Sequence, residues 1–228
     1  MQIEPIARAR TDFPEKFGIP RQSGRAALRA RIVFLPKYRS PDALRGIEGY
    51  THLWLIWHFS EAKGDGVFHP TVRPPRLGGN RRVGVFASRS PFRPNSLGLS
   101  SVRLIGVEET KDEGCVLVVE GADLMDGTPI FDIKPYLPTA DLHTDAKGGF
   151  ADEVAGYRLA VSFPDELLSL IDEDKREGLI ALLSDDPRPA YQEDGERVYG
   201  FAFGNREIRF TVKDGTLTVT AVEEREKA

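Results

Sequence analysis

The segment with the clearest chemical potential is residues 84–100, GVFASRSPFRPNSLGLS. It places Arg89 and Arg93 four residues apart in a loop that Pro91 and Pro94 stiffen. A guanidinium binds carboxylate or phosphate oxygens in a bidentate manner, and proline lowers the entropy lost when a loop orders around a ligand. The segment predicts a preorganised anion-binding loop; an arginine-rich surface turn is the alternative.

That loop lies within a longer basic segment. Residues 69–103 contain seven arginines and no aspartate, glutamate or lysine, although the chain has 31 basic and 35 acidic residues. Residues 151–228 hold 10 of the basic and 18 of the acidic residues, which leaves 21 against 17, a net +4, for residues 1–150. A basic patch attracts an anion. The candidate contacts are Arg73, Arg76, Arg81, Arg82 and Arg93.

A predicted tight turn follows the apolar run at residues 115–120. Its backbone groups and its threonine hydroxyl are able to receive a polar ligand, although a plain Asp-Gly hairpin turn explains the same residues. The turn consists of Asp126, Gly127, Thr128 and Pro129.

Asp132 and Lys134 are the candidate catalytic residues. They are two positions apart in a run that alternates polar and apolar residues, so they share one face of a strand. An acid and a base side by side either form a structural ion pair or orient an attacking group, and the sequence leaves both interpretations open.

The other polar signals are weaker. The loop at residues 17–24, FGIPRQSG, exposes Arg21 and Gln22, which can bind an adenine edge or a carboxylate or simply face water. The spacing of His52, His58 and His69 matches no metal motif, so no metal site is predicted. The sequence also lacks a P-loop and a GxGxxG fingerprint, which excludes a Rossmann dinucleotide site.

Short strands must position these residues. Apolar and β-branched runs separated by turn residues predict strands at 30–35, 52–59, 82–86, 98–107 and 115–120, and a short helix at 40–45. Closely spaced strands without long helices indicate an antiparallel barrel or sandwich. We therefore predict a mainly β fold with a domain at residues 1–150.

A small α+β domain is predicted at residues 157–228. The polar segment 138–156 is the expected linker. An amphipathic helix follows at 165–183, with Gly178 as a point of interruption, and strands are predicted at 198–203, 207–212 and 216–222.

Composition limits the class of protein. With 228 residues, 40% hydrophobic and 29% charged, the chain can bury a core of its own. The single cysteine, Cys115, closes no internal disulfide, and the N-terminus lacks the features of a secretion signal. The longest apolar stretch, 53–57, is too short to cross a bilayer. We expect a cytoplasmic protein that does not insert into membranes.

Several longer strings resemble the TsaA/TrmO family, tRNA methyltransferases that act on N6 of threonylcarbamoyladenosine beside the anticodon. They are VRPPRLGGN at 72–80, the string at 84–100 quoted above, DLMDGTPIFDIKPYLP at 123–138, RGIEGYTHLWLI at 45–56, FGIPRQSG and DPRPAY. The strings extend from residue 17 to residue 191. One departure is Ser96, where the family usually has proline, which loosens the loop slightly.

The resemblance implies a β-barrel that binds S-adenosylmethionine without a Rossmann fold. It also implies tRNA as the partner, contacted by the arginines of the basic segment, and a homodimer with the cofactor pocket close to the subunit interface. The implied cofactor residues are Arg21, Gln22, Ser23, Phe59, Ser60, Glu61, Arg89, Leu99, Asp126, Gly127, Thr128 and Pro129.

Methyl transfer from a sulfonium is an in-line displacement, so positioning the reactants supplies much of the catalysis, up to about 7–11 kcal/mol. Asp132 or water is the expected acceptor of the N6 proton, and Arg93 the first candidate to pair with the threonyl carboxylate. Two alternatives remain: an RNA-binding barrel without enzymatic activity, and a methyltransferase acting on another RNA or a small molecule.

Overall fold

Alternating burial along the strands shapes the first half of the chain. The structure is a computed structural model that describes residues 2–62, 64–74, 81–188 and 195–225. In β3 (His52–His58), Leu53, Leu55 and Trp57 are buried and the residues between them lie on the outer face. Period-two alternation of this kind turns one side of a strand towards a core.

Six strands of the described chain form a closed barrel. Besides β3 they are β1 (Ala7–Arg10), β2 (Arg29–Phe34), β6 (Leu97–Thr110), β7 (Gly114–Glu120) and β8 (Pro129–Pro135). They are hydrogen-bonded in the order β1-β2-β7-β6-β3-β8, and β8 pairs back with β1. All these pairs are antiparallel, and the expected mainly β class is confirmed.

The barrel core consists of the inward side chains of these strands. Leu53 and Leu55 are completely buried there, together with Ile32, Leu117 and Ile130. Outside the barrel, β4 (Thr71–Val72) and β5 (Val83–Gly84) pair as a short antiparallel ribbon. This ribbon carries part of the basic segment.

A second sheet forms in the last third of the chain. It has the order β10-β11-β12-β9, where β9 (Ala160–Ser162) runs parallel to its neighbour β12 (Thr216–Glu224). The other two strands are β10 (Tyr199–Phe203) and β11 (Arg206–Lys213), and β11 turns into β12 at Asp214 and Gly215, which both have positive φ. The helices are α1 (Pro138–Asp141), α2 (Asp165–Leu168) and α3 (Glu173–Ser184).

The loop between β1 and β2 packs into the core of this second sheet. Phe13, Ala26 and Leu28 are buried there against Phe201 and Leu179. The second core is therefore built from both ends of the sequence. The domain limits 1–150 and 157–228 remain a prediction, and residues 11–28 contribute to both halves.

Some element boundaries differ from the prediction. The expected helix at 165–183 is broken at Ser169–Asp172 instead of at Gly178, which lies buried inside α3. An added Cβ at Gly178 would lie 2.6 Å from Leu28 Cδ2. The glycine therefore allows α3 to pack closely against Leu28 and does not break the helix. The expected strand at 82–86 is only Val83–Gly84, because a 3-10 helix occupies Val85–Ala87.

The predicted linker and early helix also differ from the structure. The segment 138–156 contains α1 and a 3-10 helix at Gly149–Val154, so it is not a plain linker. The early helix is present as a 3-10 turn at Pro41–Leu44. In the described chain, no helix has the length and apolar character needed to cross a membrane.

Candidate functional site

A cavity of about 740 Å³ opens where β3 ends and β6 begins. Its wall includes the loop around Arg21, the arginine loop around Arg89 and the segment just before Thr128. Nine of the residues predicted from the sequence as cofactor or substrate contacts line it: Arg21, Gln22, Phe59, Ser60, Glu61, Arg89, Arg93, Leu99 and Thr128. Tertiary structure thus brings together four segments that lie far apart in the sequence.

Aromatic rings form one side of the cavity. Trp57 lies opposite Gly98 across β3 and β6, and an added Cβ at Gly98 would be 2.3 Å from Trp57 Cε2. The indole therefore lies flat over a position that only glycine can occupy without movement. Phe59 packs against it with a centroid distance of 4.2 Å. These rings offer a stacking surface for an aromatic ligand.

Arg89 points across the cavity towards the Arg21–Gln22 loop. Its Nη1 donates a hydrogen bond of 2.6 Å to Gln22 Oε1. Because the Arg89 residue is otherwise exposed, much of its charge faces the cavity and solvent. A carboxylate placed here would meet both a guanidinium and an amide.

Arg93 stabilises the loop that contains Arg89. Its Nη1 donates to the Ser88 carbonyl at 2.6 Å and to the Val85 carbonyl at 3.5 Å. Arg93 was predicted to pair with a substrate carboxylate, but in the structure these backbone bonds hold the loop that presents Arg89. Arg93 also lines the cavity.

Ser96 adopts a backbone conformation that proline cannot. Its φ is +47°, whereas proline fixes φ near −65°. Its N–H also donates to the Arg93 carbonyl at 3.2 Å, and proline has no N–H to give. The departure from the family sequence thus makes a specific left-handed turn rather than a slightly looser loop.

Arg21 links the cavity wall to residues 186–188 by hydrogen bonds. Its Nη2 donates to the Asp186 carbonyl at 2.9 Å and also to the Arg188 carbonyl. Asp186 and Arg188 form a buried ion pair, with Nε–Oδ1 at 2.9 Å and Nη2–Oδ2 at 3.1 Å. Burial opposes ionisation of Asp186, but the hydrogen bonds and charge of Arg188 outweigh it and lower the Asp186 pKa.

A carboxylate that the sequence analysis missed also lines the cavity. Asp123 Oδ1 accepts a hydrogen bond of 2.5 Å from Ser100 Oγ, which accepts one of 2.9 Å from Trp57 Nε1. Burial raises the pKa of Asp123, against the opposing effects of the Ser100 hydrogen bond and the Arg89 charge. A signal was available in the sequence, because Asp123 interrupts an apolar stretch between Ala122 and Leu124.

The turn at residues 126–129 is bonded to the protein rather than open to a ligand. The N–H groups of Asp126, Gly127 and Thr128 donate to the carbonyls of Phe13, Ala9 and Met125, at 2.7, 2.9 and 3.2 Å. The Thr128 hydroxyl also donates to the Met125 carbonyl, at 2.7 Å. Of the four turn residues, only Thr128 lines the cavity, and Asp126, Gly127 and Pro129 do not. Ser23, which was also predicted as a cofactor residue, does not line it either.

Asp132 and Lys134 do share a strand face, but it is the outer face of the barrel. Lys134 Nζ lies 3.0 Å from Asp132 Oδ2, and both side chains are largely exposed. They pair in register with Ile56 and Trp54, which also face outward. Neither residue lines the cavity, so the structure favours the ion-pair interpretation.

The basic segment acquires an acidic partner through folding. Arg81 Nη1 binds both carboxylate oxygens of Glu153, at 3.1 and 3.0 Å. Arg73 and Arg82 are exposed, and Arg76 lies outside the described residues. No cluster of three or more metal-ligating side chains occurs within the part of the chain that the structure describes.

Comparison with known proteins defines the class first. A family model described as the tRNA-methyltransferase O N-terminal domain matches residues 8–142, and the TrmO C-terminal domain matches residues 157–225. Both are parts of one group of tRNA methyltransferases. The chain belongs to the TrmO family.

Full-length relatives agree with this placement. The chain is 40% identical to the tRNA (adenine(37)-N6)-methyltransferase of Escherichia coli K12, with 98% of each chain covered. It is 41% identical to a putative S-adenosylmethionine-dependent methyltransferase, RcsF, of Pseudomonas aeruginosa, with 91% of each covered. A crystal structure of TrmO from P. aeruginosa superposes with a TM-score of 0.79 at 32% identity, covering 99% of this chain and 97% of the other.

Proposed function

We propose that this chain transfers a methyl group from S-adenosylmethionine to N6 of adenosine 37 in tRNA, acting on its threonylcarbamoyl form. The observation that supports this best is that one cavity is lined by eight of the twelve cofactor residues that the family motifs imply. The names of the relatives support the same reaction. The threonylcarbamoyl requirement rests on the family resemblance.

The donor set of the cavity fits S-adenosylmethionine. Its volume of about 740 Å³ lies within the range typical of small-molecule sites. The cofactor has an adenine ring, a sulfonium, an ammonium and a carboxylate, and the cavity offers aromatic rings, an acid and arginines. Those residues are Trp57, Phe59, Glu61, Arg21 and Arg89.

The residues of the chain would act by holding and orienting. When bound, the cofactor supplies an electrophilic methyl group. Arg89 is placed to pair with a carboxylate because it hydrogen-bonds to the neutral amide of Gln22 and forms no close ion pair among the described residues, although its charge also acts on Asp123. The rings of Trp57 and Phe59 exclude water from one side of the cavity, which strengthens the electrostatic contacts inside it.

We propose that exposed arginines of the basic segment bind the tRNA backbone. Arg73 and Arg82 are free of ion pairs among the described residues, whereas Arg81 is neutralised by Glu153. Phosphate contacts of this kind give affinity without sequence preference. We expect Arg82 to contribute more to tRNA binding than Arg81.

We also propose a cytoplasmic homodimer. Phe92 and Leu99 line the cavity yet are 54% and 53% exposed. Apolar side chains at the edge of a binding cavity favour coverage by another molecule, and a second copy would complete the wall. Light scattering at micromolar concentration measures the mass directly; a monomer there would contradict the dimer.

The test of the function is a methylation assay with purified protein and S-adenosylmethionine. We expect methylated threonylcarbamoyladenosine, identified by mass analysis of tRNA nucleosides, and almost no product from unmodified tRNA. Sites built to pair a substrate group reject analogues lacking it by up to about 10⁴-fold. Equal rates on both tRNAs would refute the threonylcarbamoyl requirement, and no product from either would refute the function.

A further inference from the structure

One carboxylate faces the cavity from a fixed hydrogen-bonded position. Asp123 follows β7 and lines the same wall as Trp57 and Gly98. Its partner Ser100 is 1% exposed, and Trp57 is 7% exposed. The three side chains form a continuous chain of hydrogen bonds from the barrel interior to the cavity.

The direction of these hydrogen bonds follows from their chemistry. An indole N–H is a donor only, so the Trp57–Ser100 bond uses a lone pair of the serine oxygen. The Ser100 hydroxyl proton is then directed at Asp123 Oδ1, which accepts. The arrangement keeps the Asp123 carboxylate oriented and leaves it an acceptor, as a base must be.

We propose that Asp123 is the catalytic residue that accepts the N6 proton of the substrate base during methyl transfer. This inference rests on the proposed function. As the bond from N6 to the methyl carbon forms, the bond from that carbon to sulfur breaks and the sulfur keeps its electron pair. The N6 proton passes to the Asp123 carboxylate, and water at the open side of the cavity later removes it.

Other acids of the region are less suited to this step. Glu61 lines the cavity but is exposed to water, and Asp132 is paired with Lys134 on the outer face of the barrel. Asp123 is half-buried, and the burial that raises its pKa makes it a stronger base near neutral pH. The Arg89 charge lowers the Asp123 pKa; further ionisable groups on the cavity wall are Lys16, Arg21, His58, Glu61 and Arg93.

The test compares Asp123→Asn with the unaltered protein on threonylcarbamoylated tRNA. Asparagine keeps the shape and accepts the Ser100 hydrogen bond but takes no proton. We expect kcat to fall by about 10²- to 10⁴-fold, the usual contribution of a general base. The KM values and the S-adenosylmethionine affinity measured by calorimetry should change by less than about threefold. Asp123→Glu should restore part of the rate, and Asp145→Asn, at an exposed loop position, should behave as the unaltered protein.

The pH profile separates a base from a merely structural residue. The rate of the unaltered protein should fall about tenfold per pH unit below the pKa of Asp123, and this acid limb should be missing from Asp123→Asn. Thermal unfolding of each variant at the same pH checks that the fold is kept.

Each contrary result has a distinct meaning. A full rate in Asp123→Asn, or loss of the rate in Asp132→Asn instead, overturns the assignment. A loss of cofactor affinity equal to the loss of rate also overturns it, because Asp123 would then bind the cofactor. If the unaltered protein methylates neither threonylcarbamoylated nor unmodified tRNA, the proposed function is refuted and this inference with it. If the unaltered protein is active, the proposed function stands whatever the rate of the variant.

Discussion

Replacing Gly98 by alanine tests how closely the cavity wall is packed. An added Cβ would lie 2.3, 2.4 and 2.7 Å from Trp57 Cε2, Cζ2 and Cδ2. Ordinary carbon contacts begin at about 3.5 Å, so the indole would have to move by about 1 Å. Trp57 is confined on its other sides, because its Nε1 donates to Ser100 and its ring packs on Phe59.

The expected cost combines two effects. Overpacking of a buried site costs about 1–3 kcal/mol, and loss of the Trp57–Ser100 hydrogen bond adds about 0.5–1.5 kcal/mol. Alanine recovers about 0.4–1 kcal/mol by restricting the unfolded chain. We therefore expect a net destabilisation of about 2 kcal/mol, within a range of about 0.5–4 kcal/mol, which for a chain of this size lowers Tm by about 4–8 °C.

Gly106→Ala is the matched control, because Gly106 lies on the same strand and an added Cβ there meets nothing within 4 Å. Thermal and urea unfolding should show Gly106→Ala as neutral or slightly stabilised, and S-adenosylmethionine affinity should weaken only in Gly98→Ala. If the two variants unfold at the same temperature, the close contact between Gly98 and Trp57 does not constrain the fold and the argument is refuted.

Three further expectations concern stability and tRNA binding. Ser100→Ala leaves the buried Trp57 N–H without an acceptor and should cost about 1–3 kcal/mol in urea unfolding; a change below about 0.5 kcal/mol would contradict the hydrogen-bond chain. Arg188→Ala removes the guanidinium that pairs with the buried Asp186 carboxylate, which keeps the Tyr157 hydroxyl as a donor, and should cost about 1.5–3 kcal/mol near neutral pH. Because the folded pKa of Asp186 is lowered from 3.8, its stabilisation is present above that value and is lost as pH falls through the folded pKa. This acid-dependent loss should be weaker in Arg188→Ala, and an unchanged pH dependence would argue against the pair. Arg82→Gln should weaken the binding of all tRNAs alike and reduce the slope of log affinity against log salt by about 1. Arg81→Gln should have a smaller effect because Glu153 already pairs with Arg81. Equal effects would show that the Glu153 pair does not persist in solution.

Local sequence pattern was enough to define much of the barrel. The alternation in residues 52–58 fixed which side chains of β3 enter the core, because successive side chains of a strand point to opposite faces. An Asp-Gly pair such as Asp214–Gly215 is likewise typical of a tight turn, since those residue types tolerate positive φ. The limits of α2 and α3 were harder to predict from the sequence. The break between them at Ser169–Asp172 contains no glycine, whereas Gly178 lies inside α3 and allows close packing against Leu28.

The sequence alone determined the family and nine of the cavity-lining residues, because these depend on residue types in continuous strings. Only the tertiary structure decided which polar groups remain available for chemistry. The partners of Arg81, Arg21 and Asp123 lie 72, 165 and 23 residues away, at Glu153, Asp186 and Ser100. Such contacts are set by strand register and by packing between the two cores, and no local periodicity records either. That is why Asp132 looked suited to proton transfer in the sequence, while the structure places Asp123 in the cavity.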